Sequence, residues 1–399
     1  RRVFNAGLRR LNSSLVRAFV DNELGAMGLE AALERQRPVG IPRHDLREWL
    51  RPGGDRQGEL VQHLGGEVLR RFLLEDVLDP EAAELHQKGD LDLRDLRAPH
   101  RPLVLALPSE LLIDGEATSQ TPLQLLQAAA PLLAHTSHGV VIEDLEPAFS
   151  AVGRGSRATA AAVDFLFAAG AMGGASGRQI ELANPGGRGG RWSAVLLAAA
   201  WQVLQAGGQP PRLWLDGHDL AAALERDPDL PPALEGLMDA GRLVGVWHGG
   251  TERHAGPGLR RRGRERGALA LGGVVSINLP RLARAAGPWR EERFLEAIVE
   301  KVRQGVRLLT SLDRFQAGRD EFPGHLRPRR EFALSPIGLH QALRILGDGE
   351  IRADQGARIL GLLAEAVVRF GREENLAVHL DGVFGAQAAV RFATLDREQ

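Results

Sequence analysis

Apolar positions recur along the chain with two periods. Between residues 12 and 24, Asn12, Ser13 and Ser14 precede apolar positions at Leu15, Phe19, Val20 and Leu24, which predicts a capped amphipathic helix. Pro38, Pro42, Pro52 and the pair Gly53-Gly54 then mark an irregular connection. Helical periodicity returns from Gly58 to Leu78. Short apolar runs at 103–107, 244–247 and 274–279 suit buried strands, and Ala/Leu-rich stretches at 121–133, 159–169, 192–206 and 294–312 suit helices. Strand and helix alternate, so the pattern predicts an α/β fold. Residues 1–57 are read as a helical segment with its linker, and residues 58–399 as the α/β domain.

Composition narrows the function classes. Asp and Glu number 51 against 50 Lys and Arg, so no global field favours nucleic acid or an anionic membrane. No run of about 18 apolar residues exists and Arg1-Arg2-Val3-Phe4-Asn5 lacks a secretory pattern, which predicts a soluble cytoplasmic protein. Cysteine is absent, as is tyrosine. Disulfides, thiolate metal sites and thiol catalysis are therefore excluded for this chain.

Local signals are few. The run Leu259-Arg-Arg-Arg-Gly-Arg-Glu-Arg266 reads as a solvated loop, with a phosphate-binding arginine cluster as the sharper alternative. His135 and His138 have the spacing of two metal ligands on a helical turn, without an identifiable third, and read as structural. Asp90, Asp92 and Asp95 read as an acidic turn after a helix, with a cation site as the alternative. The segment Asn184 to Trp192 is glycine-rich and precedes a helix, but matches no phosphate-loop pattern and reads as a turn. No metal is predicted.

Five segments together point further. They are Pro80 to Leu96 (PEAAELHQKGDLDLRDL), Arg101-Pro102-Leu103, Gly273 to Leu282 (GVVSINLPRL), Ser335 to Leu343 (SPIGLHQAL) and Arg391 to Asp396 (RFATLD). In order and spacing they resemble the anaerobic, class III ribonucleotide reductases of the glycyl radical enzyme family. That resemblance implies a ten-stranded barrel built from two half-barrels and surrounded by helices. It also implies a cysteine on a finger loop inside the barrel, a second cysteine on the first barrel strand, and a radical glycine in a carboxy-terminal domain. The matching positions here are Gly250, in the stretch His248 to Arg253, and Leu105. Asp92 and Arg94 replace the family's paired histidines, and the chain ends at Gln399, just past RFATLD.

The resemblance makes Asn278, Ser276, Pro280, Arg281, Gly249, Gly250 and Thr251 the candidate nucleotide-pocket residues. For Asn278 an equal alternative is a side chain that satisfies neighbouring backbone groups. The leading expectation is a catalytically inactive reductase-like protein that binds a nucleoside triphosphate or regulates, with a homodimer typical of the family. Two alternatives are a scaffold whose barrel is a body for a protein partner, and an enzyme of thiol-free nucleotide chemistry.

Overall fold

A computed structural model describes residues 13–30, 32–33, 60–113, 121–149, 152, 155–172, 178–183, 191–227, 229–246, 252–262, 265–319, 322, 326–382 and 384–398. The chain divides into two compact units, 1–72 and 73–399. The first contains α1 (Ser13–Ala26) and α2 (Leu60–Phe72). The predicted helix at 58–78 is observed as α2, followed in the second unit by a π-helical turn at Leu73–Val77.

The second unit alternates helix and strand as its periodicity predicts. It opens with α3 (Pro80–Lys88), β1 (Leu91–Leu93) and β2 (Val104–Pro108), then α4 (Thr121–Ala129), β3 (Gly139–Glu143), α5 (Glu146–Phe149) and α6 (Ser156–Met172). There follow β4 (Gln179–Ala183), α7 (Arg191–Gln205), β5 (Leu213–Asp216), α8 (Gly217–Arg226), α9 (Pro231–Asp239) and β6 (Leu243–Val246). The hairpin β7 (Glu252–Gly256) and β8 (Leu259–Arg262) comes next, then β9 (Leu269–Asn278), α10 (Leu279–Ala286) and α11 (Glu291–Gln316). The unit ends with β10 (Arg329–Ile337), α12 (Leu339–Leu346), α13 (Ala353–Glu373), β11 (Val378–Leu380) and α14 (Gly385–Glu398).

Two parallel halves meet in one sheet. Strands β2 to β6 pair in parallel in sequence order, and β9, β10 and β11 do the same. The halves join antiparallel, with Val104–Ala106 of β2 against Leu269–Leu271 of β9. Further along the same strand, Val275–Ile277 pair antiparallel with β1. The described residues thus form a nine-stranded sheet with β6 and β11 as its ends.

The sheet curls. Trp214 of β5 and Ala333 of β10, far apart in strand order, belong to one buried cluster that also holds Ala255 and Leu259 of the hairpin. The outer faces are equally apolar. Leu105, Leu107, Val140 and Ile142 pack with α4, α6 and α7, while Val275, Ile277, Phe332 and Leu334 pack with α10, α11 and α13. Strands buried on both faces are what parallel sheets require, and short apolar runs are their sequence mark.

Candidate functional site

Alternation along each strand decides which residues face the interior. On β2 these are Val104 and Ala106, on β3 Val141, on β4 Ala183, on β5 Trp214 and on β9 Leu269, Leu271 and Val274. Leu105, aligned in sequence with a family cysteine, belongs instead to the outer core under the helices. A one-residue offset reverses the face, and the inward positions on this strand are Val104 and Ala106.

The hairpin β7–β8 enters the curl, with Gly256-Pro257-Gly258 as its tip. Gly256 has φ +131°, and a Cβ there would lie 2.7 Å from Val141 Cγ2. Gly258 has φ +64°, and its Cβ would lie 2.9 Å from Leu271 and 3.5 Å from Phe384. Both positions need glycine for backbone and for space. The candidates Gly249, Gly250 and Thr251 lie outside the described residues. The intruding tip is thus six to eight residues beyond Gly250.

Around the tip the described side chains of the interior touch one another. Trp214 is 2% exposed, its ring centroid 4.9 Å from that of His254 on β7, and Phe384 lies between Arg94 and His138. The indole N–H of Trp214 donates to Glu181 (2.6 Å), which also takes a bond from Arg212 (3.3 Å). Burial raises the Glu181 carboxyl above its usual range against the pull of Arg212 and Trp214. Burial, then the charges of Arg94 and Arg212, lower His138 to about 4.

The first part of the arginine run is not a solvated loop, whereas Arg262 and Arg266 are exposed as expected. Arg260 and Arg261 are on β8, and Arg261 is buried with a two-pronged contact to Glu143 at the end of β3, at 2.5 and 2.9 Å. Its Nη1 also donates to the Gly267 carbonyl (2.7 Å). Arg260 reaches the Leu380 carbonyl (2.8 Å), and its backbone N–H lies 3.3 Å from Glu331. These bonds fix the hairpin to both halves of the sheet.

Four of the segments that carried the resemblance converge at one end of β9. Asn278 is 1% exposed and caps α10, its Oδ1 accepting from the Arg281 N–H (3.2 Å), with Pro280 in the first turn. Its Nδ2 donates to the Gly89 carbonyl (3.2 Å). Arg281 pairs with Asp396 of α14 (2.6 Å) and Asp90 (3.4 Å), and its Nη1 reaches the Lys88 carbonyl. Lys301 holds the other Asp90 oxygen (3.1 Å), and Arg284 the other Asp396 oxygen (2.8 Å). Burial alone would raise the Asp396 carboxyl, but hydrogen bonds from Arg284 and Arg281 hold it below its usual value.

Ser276 and Ser335 are partners on adjacent strands, both buried, and Asp92 lies opposite Ser276 on β1. Asp92 pairs with Arg391 (3.1 Å). The motifs therefore build a joint between a strand, two helices and a turn. Its polar groups are satisfied mainly by one another, and the Asn278 side chain bonds two backbone groups, the Arg281 N–H and the Gly89 carbonyl.

His135 ends a 3-10 turn and His138 lies beyond it, before β3. Asp90 and Asp92 are engaged by cations of the protein. Among the described residues no group of three ligating side chains could hold a metal. The loop 184–190 lies outside the described residues. No described helix is long and apolar enough to cross a membrane. Sequence reasoning missed Glu143, Glu181 and Trp214: Glu143 closes the apolar run of β3, while Glu181 and Trp214 stand inside β4 and β5 with no local signal.

No family model matches the chain, and no curated protein is similar to it. Solved structures are. The anaerobic ribonucleotide reductase from Thermotoga maritima with MES in the active site superposes with a TM-score of 0.65 at 12% identity, covering 98% of this chain and 80% of that one. The same enzyme with dATP bound in the specificity site gives 0.64 at 12% identity over 89% of this chain and 74% of that one. With citrate in the active site it gives 0.62 at 12% identity, over 94% and 81%. At such identity the likeness establishes architecture: this chain has the α/β fold of the anaerobic ribonucleotide reductases.

Proposed function

We propose that this chain is a non-catalytic protein of reductase fold, which binds a nucleotide as ligand or regulator and does not reduce it. The observation that carries the reading is the hairpin tip. A chain without cysteine presents Gly256-Pro257-Gly258 inside the curl, in contact range of Val141, Leu271 and Phe384. A thiyl relay needs a sulfur whose S–H bond is weak enough to exchange hydrogen with carbon, and the buried hydroxyls of Ser276 and Ser335 cannot replace it. Retained nucleotide recognition is supported by the fold likeness to an enzyme solved with dATP and CTP. Calorimetric titration of the purified chain with ATP, dATP, dGTP, dTTP and CTP is expected to show micromolar binding of at least one. Silence across the five would overturn the reading.

A second reading, a scaffold that docks a partner or a second copy, is favoured by one observation. Leu123 on α4 and Phe167 and Met172 on α6 are exposed at 47%, 57% and 37% on two helices packed side by side. Exposed apolar side chains on neighbouring elements suit a covering surface. Sedimentation of the chain at micromolar concentration tests the second-copy form, for which a dimer is expected and a monomer counts against it.

A further inference from the structure

On the outer side of the seam between the two half-sheets lies a cavity of about 300 Å³. Three segments line it: His100, Arg101 and Pro102 before β2, Ala134 and His135 before β3, and Arg319 and Phe322 after α11. The volume sits at the small end of ligand pockets. Among the described residues its lining holds two guanidinium groups, two imidazoles and a benzene ring, and no carboxylate. Asp320 and Glu321, next in the chain, lie outside the described residues.

The positive charge is concentrated. Among the described residues neither Arg101 nor Arg319 has an acidic partner within ion-pair distance, although most arginines nearer the sheet have one. Burial, and then the Arg101 charge, lower the nearby Arg178 guanidinium against the opposing pull of Asp95. Arg319 is held in place from within its own helix end. Its Nη1 donates to the Phe315 carbonyl, and its guanidinium lies 4.3 Å from the Phe315 ring centroid. One bond of a five-donor fork leaves capacity for an anion. Across the cavity, the rings of Phe322 and His135 stand 5.9 Å apart at 50°.

We propose that this cavity binds the phosphate group of a small phosphomonoester whose planar ring packs against Phe322. Guanidinium forks match phosphate oxygens in a way that a point charge does not, and two of them flank the space. The aromatic wall gives a ring-bearing ester an advantage over free phosphate. This assignment is independent of nucleoside triphosphate binding.

The probes are inorganic phosphate and phenyl phosphate, titrated calorimetrically into the full chain at low chloride. Phenyl phosphate is expected to bind more tightly than phosphate, and Arg101→Gln and Arg319→Gln each to weaken it by roughly tenfold, as charge-assisted bonds do. Both side chains are at least partly exposed, so the variants should keep the wild-type melting temperature. A second readout on the unaltered protein guards against misfolded variants. The imidazole C2–H resonances of His100 and His135, assigned from His→Gln variants, are expected to move on addition of phenyl phosphate. Failure of both probes to bind, affinity unchanged in both arginine variants, or shifts confined to other histidines would overturn the site. Equal affinity for the two probes would overturn the ring-bearing ligand and leave a site for free phosphate.

Discussion

Arg261 stands in a run with Arg260, Arg262, Arg264 and Arg266, yet its side chain is only 3% exposed and its partner Glu143 lies 118 positions away in the chain. Composition alone reads that run as solvated, because no local pattern reveals so distant a carboxylate. Removing one member of a buried pair strands the other, which costs about 3–5 kcal/mol, whereas replacing both by apolar groups can be near neutral. Arg261→Met is therefore expected to lower the urea midpoint steeply, and Arg261→Met with Glu143→Met to recover much of the loss. A second residue-scale expectation concerns pH. Burial, then Arg260, holds His379 down to about 3, and burial with Arg94 and Arg212 holds His138 to about 4. A depressed histidine stabilises the fold fully above its unfolded value near 6.5 and loses that contribution as pH falls toward the folded value. Each contributes at most about 1.4 kcal/mol per pH unit to the slope between roughly 6.5 and 4. Replacing His379 by Gln should flatten the stability–pH curve in that window, as read by urea midpoints at successive pH values.

Elements were legible to the extent that their periodicity is long. The predicted helices at 159–169 and 294–312 lie within α6 and α11, that at 192–206 matches α7 to within a residue, and the apolar runs at 103–107, 244–247 and 274–279 overlap β2, β6 and β9. Strands β3, β4 and β5 were not distinguished, since each spans four or five residues and β3 and β5 end on an acid. Glu143 and Glu181 are turned inward to an arginine and an indole, which a sequence window cannot see. The convergence of motifs was legible in order but not in purpose: Asn278, Arg281, Asp90 and Asp396 form a joint. Gly338 belongs to the same joint. Its φ is +77° and a Cβ would sit 2.5 Å from Pro280 Cγ, so Gly338→Ala should cost more than about 1 kcal/mol through strain and collision together. Asp396→Asn keeps the shape but leaves Arg281 and Arg284 without their shared charge. Amide hydrogen exchange is expected to accelerate across α14 in that variant while α11 stays protected; equal acceleration in both would show that the joint does not govern α14 separately.

At the scale of the whole molecule, the question is whether the curl is a chamber or a core. A chamber for substrate is hydrated, so truncating one wall residue enlarges a wet space at little cost. A core is close-packed, and truncation leaves a void whose lining loses its contacts. Trp214 is the discriminating residue because it is the largest of the fully buried side chains and spans the space between β4, the hairpin and β5. As part of a core, Trp214→Ala should destabilise by about 3–5 kcal/mol, the range for deleting a large buried aromatic. Trp214→Phe would fill most of the volume but withdraw the indole N–H from Glu181, so an intermediate loss is expected, on the order of 1–3 kcal/mol for a buried acceptor left short of its donor. Urea unfolding of the two variants resolves the matter. A graded loss in that order describes a packed interior, in which the hairpin has exchanged a catalytic loop's freedom for van der Waals contact. A Trp214→Ala chain as stable as the parent would instead mean that the curl holds solvent, and the non-catalytic reading would lose its structural basis.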